Sequence, residues 1–451
     1  MKTPALPRPR PWWFVVALGL YAGLVTFLFF THLPWRDEGQ AWLWAKELSR
    51  PQDFLIVPGE GHPPLWFWLL KLLSLAFPFE VARYFAFALT LINGLLLGEL
   101  LKDRFWVFAA YLFSVFVAFF WGVMFRPYTL IVTLTLIGLI LTRRDRTTAA
   151  GWVLAAGVGL HFYASFIFGL WLLIRLTRRP PLPPLVGPAI LAGLFALSAI
   201  LSGRGNPDGD LDFGNLPLGP ISDFVGGFGV SVGYALSPIL AAAIVGLLVL
   251  EFRQNRTVLW CFLAVGLAFS LFTHMIYGIA SWHLALMPIL MLSAFALAET
   301  PIKGWRLAIL VLPWVWMTRE VIDHAINIPY SGAWAAHDSL ASAAEAEGIA
   351  LGPDTLVVWP DHIFAAPAAR HDLRVTSGNL GTEIGPTNWA ARPDSDIAVA
   401  AFVRPRPYFL VCAECEKLTG VILDNGLVAD LVMAPILALD ERLAVYRITP
   451  E

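Results

Sequence analysis

The chain has 451 residues, of which 58% are hydrophobic and only 14% charged, whereas soluble domains average about 45–50% apolar and about 25% charged residues. This composition excludes a soluble globular protein over most of the length. The formal net charge of −2 combines a basic N-terminal part with an acidic C-terminal part, and the basic charge is expected in cytoplasmic loops, so it needs no nucleic-acid partner to explain it. Apolar runs of membrane-spanning length recur from Trp12 to Met317, so the sequence predicts an integral membrane protein.

The basic segment 1–11 is followed directly by an apolar run that has no small-residue cleavage site behind it. We interpret this run as the first membrane helix, with the N-terminus inside, and not as a removed signal peptide. Hydrophobicity along the chain then predicts about eleven transmembrane helices. They cover residues 12–31, 82–101, 105–122, 127–142, 149–162, 163–177, 185–202, 235–251, 257–273, 283–299 and 305–319.

Segment Pro63–Phe79 decides the topology. It is apolar and aromatic but interrupted by Lys71, and its helical part of about fifteen residues is shorter than the roughly twenty that a span requires. Two prolines begin it and Pro78 ends it, so we expect a short helix that lies on the outer interface. With this assignment the Arg-rich loops 143–146 and 175–179 face the cytoplasm, as the positive-inside rule requires.

The composition changes near residue 331, where acids become frequent and tryptophan becomes rare. We therefore predict two domains, a transmembrane domain in residues 1–330 and a small α/β domain in residues 331–451. The odd number of spans places the second domain outside, together with the long loop 32–81 and the polar loop 203–221. In this extracytoplasmic domain we expect strands near 355–359, 397–402, 407–412 and 443–448, and helices near 334–347 and 415–425.

The first external loop carries two adjacent carboxylates, Asp37 and Glu38, just beyond the first span. Such a pair is a candidate for acid–base chemistry. The alternative is structural, because Asp37 and Gln40 have the spacing of a capping box for a surface helix over 38–48.

Two further motifs fall at the outer membrane edge. His62 precedes two prolines, which fix it where it can meet an anionic headgroup, although it could equally be an ordinary surface residue. Arg126 and Tyr128 flank Pro127 at the outer end of a span. An arginine at this depth is costly and often pairs with a carboxylate or binds a phosphate; the alternative is that it snorkels to the interface.

Several aromatic and histidine side chains follow at later outer turns, namely His161, Tyr163, His274, Tyr277, Trp282 and His283. No H-x-x-H or H-E-x-x-H spacing occurs, so we predict no metal site and no cofactor, although a divalent metal held by distant segments is an alternative. For His274 and His283 the alternative role is helix capping or interfacial packing. Cys412 and Cys415 are best interpreted as a local disulfide in an oxidising compartment, with a redox role as the alternative. We expect Cys261 to be a buried, inert thiol.

Four of these motifs, in this order, resemble the GT-C class of membrane glycosyltransferases. The similarity is to bacterial relatives of the protein O-mannosyltransferases and of the aminoarabinose transferase that modifies lipid A. It covers most of residues 12–300 and rests on Asp37-Glu38, on His62-Pro63-Pro64-Leu65, on Arg126-Pro127-Tyr128 and on His161-Phe162-Tyr163. The chain departs from the family pattern at Met124-Phe125, where an acid often stands, and at Ser281-Trp282-His283, where Arg-Tyr is common.

The resemblance implies transfer of a sugar from a polyprenyl-phosphate donor to an acceptor hydroxyl at the outer face of a bacterial inner membrane, with inversion. It implies that Asp37 is the general base, with Glu38 beside it, and that His62, Arg126 and Tyr128 bind the donor phosphate. His161, Tyr163 and His283 are further site candidates. The acceptor is a lipid, a glycan or a protein.

Two other classes remain open from the sequence. A lipid or glycolipid transporter also needs many helices with polar residues inside the membrane, but it would be expected to show paired halves with interrupted helices. An assembly protein would use the external domain for docking. The large acidic external loop favours surface chemistry over both.

Overall fold

The fold is given by a computed structural model that describes residues 12–57, 62–178, 182–202, 218–230, 235–277, 281–300, 302–384, 397–436, 438 and 442–450. Most of the predicted external loop 203–221 and the basic segment 1–11 lie outside the described residues. Within the described residues, all regular secondary structure of the N-terminal part is helical. Its helices are α1 (Trp12–Thr31), α2 (Arg36–Glu47), α3 (Leu65–Ala76), α4 (Phe79–Leu100), α5 (Phe105–Leu112), α6 (Tyr128–Arg143), α7 (Thr147–Val158), α8 (Ala164–Thr177), α9 (Pro183–Ser202), α10 (Leu218–Gly226), α11 (Ser237–Phe252), α12 (Arg256–Phe272), α13 (Ser281–Leu284), α14 (Leu286–Leu297) and α15 (Trp305–Asn327).

Every predicted span coincides with one or more of these helices. Among the described residues, α1, α4, α9 and the stretch Arg256–Met275 are each long and apolar enough to cross a membrane. A further crossing is formed if α5 and the following segment Phe116–Val123 count as one span bent by 46°. The other apolar helices are shorter, so the prediction of a polytopic membrane fold is confirmed, while the number of crossings stays a prediction.

The bend after α5 matters for the site. The segment Phe116–Val123 is π-helical and fully buried, and Trp121 within it leaves helical geometry, with φ −107° and ψ 19°. The freed carbonyl of Gly122 accepts a hydrogen bond from the Thr129 hydroxyl at 2.6 Å. The chain then becomes extended at Met124, so the main chain of the next residue is turned away from the helix and towards α2.

Helix α3 begins immediately after the two prolines, close to the predicted position. Its Trp66 and Phe67 are buried, whereas Leu72 and Leu75 on the other face are 66% and 74% exposed. A helix with one buried and one exposed apolar face fits the predicted interfacial segment. Its depth in a membrane stays a prediction.

The C-terminal part is α/β, as predicted. Its helices are α16 (Ala333–Glu347), α17 (Ala365–His371), α18 (Val399–Phe402) and α19 (Thr419–Asp424), and its strands are β1 (Leu356–Trp359), β2 (Thr376–Ser377), β3 (Tyr408–Cys412), β4 (Leu427–Met433) and β5 (Ala444–Pro450). The strands form one sheet in the order β2-β1-β3-β5-β4. Strand β1 is parallel to β2 and β3, whereas β5 is antiparallel to β3 and β4.

One predicted strand is wrong. Residues 397–402 contain the short helix α18 and not a strand. The adjacent side chains Ala401 and Phe402 are buried in the same cluster against the sheet, whereas neighbouring side chains of a strand point to opposite faces. Two strands were missed. Strand β2 has only two residues, and β4 is a half-exposed edge strand whose apolar alternation is interrupted by Asp430.

Helix α17 of the C-terminal part packs directly on α2, which lies in the loop 32–81 that was predicted to be external. The approach is so close at Gly39 that a Cβ atom there would lie 2.4 Å from the Ala365 carbonyl oxygen and 2.5 Å from the Ala366 Cα. The Trp334 indole nitrogen also donates to the Pro34 carbonyl at 2.7 Å. The C-terminal domain therefore rests on the loop that carries the acidic pair.

Candidate active site

The two adjacent acids at the start of α2 have different environments. The Glu38 side chain is fully buried. Its Oε2 accepts hydrogen bonds from the Trp35 main-chain nitrogen at 3.0 Å and lies 2.8 Å from His32 Nε2. Its Oε1 accepts from the Phe125 main-chain nitrogen at 2.6 Å. The acid that caps this helix is thus Glu38, and the capping box considered for Asp37 and Gln40 does not describe it.

The charge on Glu38 is stabilised by its neighbours. Burial alone would raise the pKa of this carboxyl, but the charges of His32 and Arg83 and the hydrogen bonds from His32 and Phe125 outweigh burial, so the pKa lies below its ordinary value. Arg83 also donates to the His32 carbonyl at 3.0 Å. The result is a buried ionic cluster that connects α2 and the residues just before it to α4 and to the end of the π-helical segment.

Asp37 points the other way and is 26% exposed at its side chain. Its Oδ2 lies 3.5 Å from Arg126 Nη2, and its main-chain carbonyl accepts from Arg126 Nη1 at 3.0 Å. A second arginine, Arg36, brings its Nε to 3.7 Å from Asp37 Oδ1. Asp37 therefore presents an accessible carboxylate between two guanidinium groups.

Arg126 joins Asp37 to a cluster of rings. Its guanidinium carbon lies 5.9 Å from the centroid of the Tyr128 ring, and only 12% of its side chain is exposed. The Tyr128 hydroxyl is 3.5 Å from His161 Nε2. The same His161 atom lies 3.1 Å from His62 Nε2. Motifs that are far apart in the sequence thus meet at one place.

The hydrogen bonds fix which nitrogen of each histidine carries the hydrogen. Nδ1 of His161 accepts from the Tyr163 main-chain nitrogen at 3.1 Å, so in the neutral ring the hydrogen is on Nε2. That hydrogen is available to His62 Nε2, which then accepts it. Beyond His161, the Tyr163 ring lies 5.1 Å from the His283 ring, so this later turn closes the cluster.

Every predicted site residue is therefore described, and their roles stay predictions. Seven of them form one continuous group of contacts, namely Asp37, Arg126, Tyr128, His62, His161, Tyr163 and His283. Glu38 is buried beside this group, next to Asp37 in the chain. His274 instead lies against Asp223, at 3.7 Å between Nδ1 and Oδ2. The side chains of Tyr277 and Trp282 lie outside the described residues.

Sequence reasoning missed two partners. His32 was not singled out, although it stands only five residues before Asp37 in the same predicted external loop. His362 approaches Arg36, with 3.4 Å between His362 Nε2 and Arg36 Nη1, across a separation of 326 residues that no local pattern reveals.

The cysteines behave as expected. Cys412 and Cys415 form a disulfide at the end of β3, and Cys261 is a buried free thiol. Within the described ranges, no group of three or more histidine, cysteine, aspartate or glutamate side chains is placed to hold a metal ion.

No protein-family model matches this chain, and no curated protein sequence matches it either. Among solved structures, the chain is similar to ArnT from Cupriavidus metallidurans bound to undecaprenyl phosphate. The match has a TM-score of 0.53 at 14% sequence identity and covers 96% of this chain and 98% of the other. At the level of the fold, this similarity confirms the resemblance to the GT-C class that the four sequence motifs indicate.

Proposed function

We propose that this protein transfers a sugar from a polyprenyl-phosphate-linked donor to an acceptor hydroxyl at the outer face of the membrane, with inversion at the anomeric carbon. The observation that carries the proposal is the Asp37–Arg126 pair, 3.5 Å apart between Oδ2 and Nη2, beside the histidine cluster. It lies in a fold shared over nearly the whole chain with ArnT, whose solved structure holds undecaprenyl phosphate.

The leaving group of such a donor is a lipid phosphate, which needs cations and hydrogen-bond donors. Arg126 offers a planar fork of donors, and its low exposure strengthens its interaction with an anion. His62 and Tyr128 meet at His161, within the same cluster. We assign donor-phosphate binding to Arg126, His62 and Tyr128.

The acceptor hydroxyl needs a base. Asp37 takes the proton as the acceptor oxygen bonds to the anomeric carbon, and the bond from that carbon to the phosphate oxygen breaks. Its electron pair leaves with the polyprenyl phosphate, where Arg126 stabilises the developing charge. One displacement at one carbon inverts its configuration and needs no covalent sugar–enzyme intermediate.

The remaining site residues serve the arrangement. Glu38 is buried and bonded on both oxygens, so we assign it the positioning of Asp37 and of the Phe125 main chain and not proton transfer. His161 orients His62 through its Nε2 hydrogen. Tyr163 and His283 pack behind His161 and shape the far wall of the cluster.

The outer face is supported by two arguments. The positive-inside rule places the Arg-rich loops 143–146 and 175–179 in the cytoplasm. The contact between α17 and α2 requires the C-terminal domain and the acidic loop to share one side. The compartment outside a bacterial inner membrane is not supplied with nucleotide sugars. A sugar transferase that works there therefore needs a donor carried across the membrane on a lipid.

The test is direct transfer. Membranes that contain the protein are incubated with a radiolabelled polyprenyl-phosphate sugar, and labelled acceptor and released polyprenyl phosphate are measured. We expect both products to form together. Movement of intact labelled donor across the membrane without either product would instead show a transporter.

A further inference from the structure

The C-terminal domain presents a particular edge of its sheet to the acidic loop. Strands β2, β1 and β3 are parallel, and the carboxyl end of β1 leads through Pro360 and Asp361 to His362. In open α/β sheets this edge is where ligands bind and where functional side chains collect. In this protein the turn after β1 packs on α2, which carries Asp37.

The contact at that edge has a defined direction. A guanidinium group has only donors, so Arg36 Nη1 donates and His362 Nε2 accepts, at 3.4 Å. The His362 ring is therefore neutral in this contact, with its hydrogen on Nδ1. The same guanidinium places Nε 3.7 Å from Asp37 Oδ1. Asp37, Arg36 and His362 thus form a chain of polar contacts that runs from the proposed base into the C-terminal domain.

The position of His362 is fixed by the hydrogen bonds of its neighbour Asp361. Asp361 is buried, its Oδ2 accepts from the Ser377 hydroxyl at 2.7 Å, and its main-chain nitrogen donates to Asn379 Oδ1 at 2.9 Å. In front, the close approach of α17 to Gly39 leaves little room for α2 to shift. The turn that carries His362 is therefore fixed relative to Asp37 by buried polar bonds and by main-chain packing.

We infer that His362 is a positioning residue for the transfer reaction, which holds the Arg36 guanidinium so that the Asp37 carboxylate faces the acceptor. The C-terminal domain is then part of the active site and not only a docking module. This inference rests on the proposed function for its activity readout. It predicts a loss in turnover with little change in donor binding, because His362 contacts the base side of the site and not Arg126.

The experiment compares His362→Ala with His362→Gln, whose amide oxygen can still accept from Arg36. His362→Ala should lower kcat roughly tenfold, since small displacements of a catalytic group cost up to about a hundredfold, while the KM for donor changes by less than about twofold. His362→Gln should recover most of the lost turnover. The matched control is Asp372→Ala, which removes the Asp372–Lys46 ion pair of 2.5 Å at the same interface, away from Asp37.

A double variant tests whether Arg36 and His362 act on turnover through the same contact. Arg36→Ala combined with His362→Ala should be no slower than Arg36→Ala alone, because both act through one contact. Equal losses in His362→Ala and Asp372→Ala would show that only domain docking matters and would overturn the inference. Failure of His362→Gln to recover turnover would also overturn it. A wild-type protein that forms no labelled product would instead refute the proposed function itself, whereas active wild type with unchanged His362→Ala refutes only this inference.

Discussion

Arg126 contacts Asp37 at two points: its Nη2 lies 3.5 Å from the carboxylate oxygen Oδ2, and its Nη1 donates to the main-chain carbonyl at 3.0 Å. The second bond fixes the arginine whether or not the carboxylate is occupied by an acceptor. The proposed base and the proposed phosphate ligand are thereby held side by side, although 89 residues separate them in the chain. In the proposed reaction, both groups act on the same anomeric carbon.

Replacement of Arg126 by lysine tests the phosphate site. Lysine keeps the positive charge but loses the planar fork, so one charge-assisted hydrogen bond, worth about 1.5–3 kcal/mol, is lost. We expect binding of a polyprenyl-phosphate donor to weaken roughly tenfold or more, measured by titration of the detergent-solubilised protein. Arg319→Lys on α15 is the matched control. Unchanged donor affinity in Arg126→Lys would mean that Arg126 only snorkels to the interface.

Gly39 tests the contact between the two domains. A methyl group there would meet main-chain atoms of Ala365 and Ala366, which cannot move aside as a flexible side chain can. Gly39→Ala should therefore push α17 away from α2, lower the melting temperature and reduce transfer. Gly420→Ala in α19, where nothing lies within 4 Å of the new atom, is the control and should leave both unchanged. If the two variants behave alike, the domains do not pack as described.

Glu38 tests the buried ionic cluster. Because its pKa is lowered in the folded protein, its contribution to stability is present above its unfolded pKa of about 4.3 and is lost as the pH falls through the lower folded value. Glu38→Gln removes the charge opposite His32 and Arg83, and breaking such a buried pair costs about 3–5 kcal/mol. We expect a clear drop in melting temperature at pH 7.

The pH dependence provides the check on this assignment. Wild-type melting temperature should fall on acidification below about pH 4.3, whereas Glu38→Gln should show a weaker decline over the same interval. Glu99→Gln, which removes a partly exposed ion pair with Arg144, should cost no more than about 1 kcal/mol. Equal melting temperatures of Glu38→Gln and wild type at pH 7 would contradict the cluster.

The proposed sidedness is tested with single cysteines at exposed positions. Asp424→Cys in the C-terminal domain should react with an impermeant thiol reagent in whole cells, whereas Arg146→Cys in the Arg-rich loop should react only after lysis. The native thiol Cys261 is buried and the other two cysteines are joined, so background labelling is low. Labelling of Arg146→Cys in intact cells would contradict the proposed topology.

Much of the membrane part could be predicted because an apolar run of about twenty residues usually forms a transmembrane helix. The positions of α1, α3, α4 and α6 agree with the sequence within a few residues. The motif residues could also be selected, since His62, Arg126 and His161 are costly residues at predicted helix ends. The sequence did not show that His62 meets His161 or that Tyr128 links His161 to Arg126, because these contacts join segments that are far apart in the chain.

The different environments of the two acids were not predictable. Asp37 and Glu38 are adjacent and chemically alike. They differ because Glu38 is bonded to His32, to the Trp35 main chain and to the main chain of Phe125, just after the π-helical segment. The link from Arg36 to His362 was hidden for a similar reason, since it depends on how the C-terminal domain docks. The wrong strand at 397–402 is a short apolar segment, and such a segment can form a strand or a short buried helix.

The central claim is that Asp37 is the base for sugar transfer, and the direct measurement is the transfer rate of Asp37→Asn with a radiolabelled polyprenyl-phosphate sugar. Asparagine keeps the shape of aspartate, and because Glu38 makes the helix cap, folding should be preserved. Loss of a positioned base costs about a hundred- to ten-thousand-fold in rate, so transfer should collapse while the melting temperature stays near wild type. Normal transfer by a folded Asp37→Asn variant would contradict the account.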